Sequence, residues 1–293
     1  MSTDDKSTLT LSALSPLMNQ ALQQSATLTR YAATDPTEAV MTTNGCVTTI
    51  DKGTTSWYFN PDQVTPLVPV SPSQSPTPYV DVQAQWLNTQ QALEQNIRVE
   101  HGGSANTFGG VGTLLVPPAF QIPTVMATPE TVRHYGLTLI DRDEVLACES
   151  RDYEIVMMRY TYTPEYKKDF LMQPQGGGGI FVETHNFPHI HIPLNEQCGG
   201  YIVIGKRLSD GNTYHFTAFQ IPYGKALYTP AYTIHGDGTL VGEYGITVAD
   251  SAFVQADTVL IYNQKTKTMA HHVVPDWPNN QDDFENKEGQ SHG

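Results

Sequence analysis

The chain has 293 residues, 39% of them hydrophobic, which is enough for one sizeable core with an extension but not for three domains. Sixteen Lys and Arg stand against thirty Asp and Glu, and a net charge of −14 repels phosphate backbones and anionic headgroups, so nucleic acid and membrane surfaces are excluded as expected partners. Three scattered cysteines (Cys46, Cys148, Cys198), a polar acidic N-terminus and no apolar run of membrane-span length predict a reduced, cytoplasmic protein without a disulfide framework or thiolate zinc site.

In chain order, Ser15-Pro16 reads as an N-cap with proline at the first helical position, opening a short helix that runs to Arg30. Residues 42–59, rich in Thr, Val, Trp and Tyr, read as a hairpin, and the proline-rich run from Pro66 to Pro78 as an extended connector. Asp81 can cap a second helix whose stripe is Val82, Trp86, Leu93 and Ile97, and Asn106 to Gly112 reads as a loop. From Thr113 the texture becomes short β-type runs: Tyr153–Thr163, Gly179–Thr184, Tyr201–Lys206, Thr213–Ile221, Leu240–Val248 and Thr258–Tyr262, with a turn at Ser209–Asn212. Strands at that spacing predict a barrel or sandwich. The expected division is an extension over 1–112, a barrel over 113–275 and a disordered acidic tail over 276–293.

The chemistry concentrates between Gly176 and Lys206. His189 and His191 share one face of a strand, as does His185 if the extended geometry survives Pro188, and paired imidazoles suit a divalent ion. Glu196 follows within reach of a facial ligand set. Downstream, Gly224, Pro230 and His235 mark a tight turn and a returning strand that can bring a fourth ligand. His215, Glu183 and Tyr223 are candidates for moving protons. The four glycines Gly176 to Gly179 lack the Lys-Ser/Thr of a phosphate loop and read as a flexible entrance or strand lead-in.

These residues resemble the cupin superfamily, whose first motif is Gly-x5-His-x-His-x3,4-Glu-x6-Gly and whose second is Gly-x5-Pro-x-Gly-x2-His-x3-Asn. Gly224, Pro230 and His235 match the second motif, with Tyr232 in place of the inner glycine and Thr239 in place of the asparagine; His189, His191 and Glu196 match the core of the first. Gly205 lies two residues too far from Glu196, which leaves open an insertion near Gln197–Gly200 or a shifted site using His185, His189 or Cys198. The resemblance implies an all-β, cupin-type double-stranded β-helix (jelly-roll) barrel with an N-terminal partly helical extension. It further implies one divalent metal ion bound by His189, His191, Glu196 and His235. Ferrous iron is the first expectation, with Mn, Ni or Zn as alternatives. The expected activity is that of a dioxygenase-type oxidoreductase acting on a small-molecule substrate. A metal-dependent isomerase or lyase and a non-catalytic binding module are the other readings, and a homodimer is allowed.

Overall fold

The computed structural model describes residues 16, 18, 28–50, 77–97, 111–142, 144, 153–250, 252 and 254–277, and for 44–50 the backbone alone. Among them the chain is mostly β. The hairpin β1 (Thr29–Ala32) and β2 (Asp35–Ile50) comes first. Strands β3 (Val80–Gln83) and β4 (Gln85–Leu87) lead into the helix α1 (Thr89–Glu94). Next come β5 (Val111–Val116), β6 (Thr124–Met126), the helix α2 (Pro129–Val132), a 3-10 turn (Arg133–Tyr135) and β7 (Thr138–Asp141). Then follow β8 (Ile155–Tyr162), a π-helical turn (Tyr166–Leu171), β9 (Phe181–His185), β10 (His189–Pro193) and β11 (Gly199–Arg207). Last are β12 (Thr213–Gln220), β13 (Lys225–Thr229), β14 (Ile234–Ala249), β15 (Ala256–Asn263) and β16 (Thr268–Met269).

The long strand β14 organises the sheet. Its second half pairs with β8 and β10, and its first half pairs with β11 and, at His235, with β9. One strand thus belongs to both lobes of the sheet and brings β9 and β10 together where the histidines lie. Among the described residues the hydrogen-bonded path runs from β1 to β4 and is open. The all-β character expected from the sequence is present, and closure into a jelly-roll barrel is not seen among the described residues. Both faces of β12 are covered: Phe120 packs edge-on to Phe216 on one side and Tyr135 edge-on to Phe219 on the other. Tyr214, Phe216 and Phe219 are fully buried, each worth ~1.5–3 kcal/mol of transfer free energy.

Several expectations change. Arg30 lies in β1, so a helix from Pro16 ends before Thr29; Pro16 and Met18 are helical and Met18 is buried. A hairpin forms at β1–β2, and Thr42 to Ile50, the first part of the hairpin expected over 42–59, are strand as the second half of β2; the remainder, 51–59, like 66–76, lies outside the described residues. The helix expected from Asp81 starts at Thr89, with Asn88 as its cap in a capping box. Val82 and Ala84 are buried between exposed Asp81, Gln83 and Gln85, and that period-two pattern takes Val82 and Trp86 into strands. Val111 and Gly112 are the first residues of β5, not the end of a loop. The glycine run is a close-packed turn, since a Cβ on Gly176 would come within 2.4 Å of Phe170 O and one on Gly177 within 2.7 Å of Leu171 Cα. Strands β2, β3 and β4, from the expected extension, pair with β8, β12 and β5, and β1 pairs with β2. The expected turn at Ser209–Asn212 joins β11 and β12, with Asp210 accepting from the N–H groups of Asn212 and Thr213. Of the tail, Trp277 packs edge-on to Tyr201, and 278–293 lie outside the described residues.

Candidate metal centre

β9 ends at His185, Asn186 to Pro188 turn the chain, and β10 begins at His189. β14 returns His235 opposite Glu183. Among the described residues one group can hold an ion: Glu183, His185, His189 and His235, each offering a ligand atom, all within 4.8 Å of one another. An ion about 2 Å from each donor places opposite donors about 4 Å apart, so small side-chain rotations close the shell.

Each of the three imidazoles has its Nδ1 held by a polypeptide oxygen. His185 Nδ1 donates to Phe187 O at 2.8 Å, His235 Nδ1 donates to Thr233 O at 3.0 Å, and His189 Nδ1 meets Thr247 Oγ1 at 3.0 Å. Such partners fix the tautomer and aim Nε2 at the ion. His185 Nε2 and His235 Nε2 are buried without a hydrogen-bond partner, which is costly unless a cation fills the gap. His235 Nε2 lies 3.6 Å from Glu183 Oε1, while Glu183 Oε2 accepts from Thr258 Oγ1 at 3.1 Å. The residues present therefore fit a divalent ion.

Burial holds all three imidazoles neutral. It depresses His185 to about 2 and His235 to about 4, and His189 falls well below the ordinary histidine value. Neighbouring imidazoles add to the effect at His185 and His189. Burial first and the Asp237 charge second push Glu183 up to about 8. Neutral imidazoles and a carboxyl that can lose its proton are what a cation requires.

The site residues expected from sequence divide. His189 and His235 lie in the group. His191 is buried beside it, its ring 5.0 Å from that of His189, but neither of its nitrogens has a hydrogen-bond partner, and Nε2 is 4.0 Å from Asp237 Oδ2. Glu196 is exposed in the turn after β10 and outside the group, because Asn195 to Cys198 lead away into β11. Cys198 is also outside, its thiol donating to Glu243 O. Glu183, expected as a proton carrier, is a member of the group instead. His215 sits on β12 against His134 and Asp81. Tyr223 is exposed, with the Arg142 guanidinium 5.3 Å from its ring centre.

Sequence reasoning passed over Glu183 as a ligand and kept His185 as an alternative. The missing signal was cross-strand register: His235 sits opposite Glu183, a pairing that motif spacing along one strand does not contain. Tyr232 supplies a different agreement. It stands where the second motif has glycine, and its φ of 64° is the left-handed conformation glycine tolerates. Its N–H donates to His185 O at 2.7 Å, tying the turn before β14 to the metal group.

Comparison with protein-family models, curated proteins and solved structures gives no match. The likeness to cupins therefore rests on the motif residues alone. Among the described residues no helix is long and apolar enough to cross a membrane.

Proposed function

We propose that the chain is a mononuclear metal-dependent enzyme of cupin type, its ion held by Glu183, His185, His189 and His235, and that it is a ferrous-iron oxygenase acting on a small organic molecule. The observation that carries this reading is the convergence of three Nδ1-anchored imidazoles and one carboxylate, with orphaned nitrogens aimed at a common point. Three nitrogens and one hard oxygen suit iron or manganese and leave open positions in an octahedral field. When bound, the ion would supply Lewis acidity and a place for dioxygen or a chelating substrate. The chain's own residues would orient that ion through Phe187 O, Thr233 O and Thr247 Oγ1, and Thr258 would hold the Glu183 carboxylate in place.

A second reading is favoured by the polar flank of the centre. His191 lies beside Asp237, which accepts from Tyr162 Oη at 3.3 Å, so groups able to carry protons stand next to the metal group as an isomerase or lyase needs. Phe216, Tyr223 and Tyr232 do not line an apolar pocket of the kind that would favour oxygen chemistry on an organic substrate. Phe216 packs against Phe120, and the two tyrosines are exposed. Anaerobic loading with ferrous iron, followed by oxygen-uptake measurement across a panel of small acids, thiols and phenols, separates the two. Substrate-dependent uptake that disappears in Glu183→Gln is expected. Turnover of an oxyacid or sugar without oxygen would replace the first reading with the second.

A further inference from the structure

A second histidine centre stands apart from the metal group. Lys206, His215 and Asp81 occupy one transverse row across β11, β12 and β3, so their side chains leave the sheet on the same face. Onto this row the 3-10 turn Arg133–Tyr135 delivers His134. His134 Nε2 and His215 Nδ1 are 3.0 Å apart, with ring planes 17° apart and centroids 5.2 Å apart, so the two nitrogens meet nearly in line. That is the geometry of an imidazole–imidazole hydrogen bond; chelation of one ion needs lone pairs that converge on a point to the side. Tyr79 lies flat over both rings, at 4.7 Å and 7° from His134 and 4.1 Å and 18° from His215. Asp81 Oδ2 is 3.6 Å from His215 Nε2. The same sheet face carries the row His235, Ile204, Thr217, two residues further along the strands, which places His215 about 12 Å from His235, two strand spacings across and two residues along.

The chain of contacts fixes the protons. A carboxylate only accepts, so Asp81 favours a proton on His215 Nε2. His215 Nδ1 then accepts from His134 Nε2–H, and the lone pair of His134 is left on Nδ1. His134 is half-buried, and burial, with the nearby Lys206 charge second, holds it down to about 4, so it is neutral and able to accept at pH 7.

We propose that Asp81, His215 and His134 form a second acid–base centre in which His134 Nδ1 takes a proton from the hydroxyl of a small anion, a carboxylate or phosphate, seated against Lys206. The O–H bond of the ligand breaks, its electron pair stays on that oxygen, and the new N–H bond forms at His134 Nδ1. The Nε2 proton of His134 shifts toward His215, where Asp81 balances the added positive charge. His134 touches the ligand, and His215 and Asp81 are positioning residues. This centre does not depend on the metal reading.

Nitrogen-15 shifts of the full chain report the tautomers without any substitution. A protonated Nε2 with a bare Nδ1 on His134 is expected, and a proton on Nδ1 overturns the relay. Diethyl pyrocarbonate modification of His134, followed by peptide mass analysis, reads its nucleophilicity. Asp81→Asn, at an exposed and nearly isosteric position, should slow it about threefold, the size of effect an exposed ion-pair partner carries. Inorganic phosphate should protect His134 in the native chain and not in Lys206→Met. An unchanged rate in Asp81→Asn, or no protection by phosphate in the native chain, contradicts the proposal.

Discussion

His185, His189 and His235 commit one ring nitrogen each to a polypeptide oxygen, and the other nitrogen is what remains for an ion. His191, one strand position beyond His189 on the same face, has no such anchor. This difference separates a ligand from a neighbour more clearly than sequence spacing does. Glu183 adds a proton account. With its carboxyl pushed up to about 8 by burial and Asp237, the metal-free protein holds a proton there at pH 7, whereas His185 and His235, at about 2 and about 4, hold none. Metal uptake at pH 7 should therefore release about one proton, and affinity should rise with pH until about 8 and then level. Titration calorimetry in buffers of different ionisation enthalpy measures the release directly. In Glu183→Gln the release should vanish, and a native protein that releases none contradicts this protonation state.

At the scale of elements, the centre exists because β14 is long enough to serve both lobes of the sheet and because β9 approaches it closely. The two strands lie close at Gly236, next to His235 of the candidate group, where a Cβ would lie 2.3 Å from Phe181 O. Gly236→Ala must push β9 outward, carrying Glu183 and His185 from His235. It should cost about 2 kcal/mol by overpacking and lower metal affinity as well. Thermal melting and metal titration of the variant check both parts, and loss of stability with unchanged affinity would uncouple the contact from the site. The same elements show what was legible in the sequence. β8, β9, β11, β12, β14 and β15 could be read because β-branched and aromatic runs alternate with turn residues such as Ser209 to Asn212. β3 and β4 could not, because Val82, Trp86, Leu93 and Ile97 fit a helical stripe as well as Val82 and Ala84 fit a strand. Tertiary pairing to β12 and β5 decided between them. His189 and His235 were legible from motif spacing. The presence of Glu183 rather than Glu196 in the candidate group was not, because it depends on which strand lies beside His235.

For the molecule as a whole, a mostly β chain with a net charge of −14 carries two histidine centres on one sheet face, one suited to a cation and the other to proton transfer. They draw on different strands: β9, β10 and β14 build the first, and β3, β11, β12 and the 3-10 turn build the second. Substitutions at Asp81, His134 or His215 should therefore leave the metal content of the first centre unchanged. The most direct test is elemental analysis of the purified chain and four variants, with circular dichroism to confirm folding. About one ion per chain is predicted for the native protein, for Glu196→Gln and for His191→Ala, with strong loss in His185→Ala and Glu183→Gln. Retention of the ion in His185→Ala together with its loss in His191→Ala and Glu196→Gln would contradict the assigned centre and restore the ligand set that the motif spacing implies.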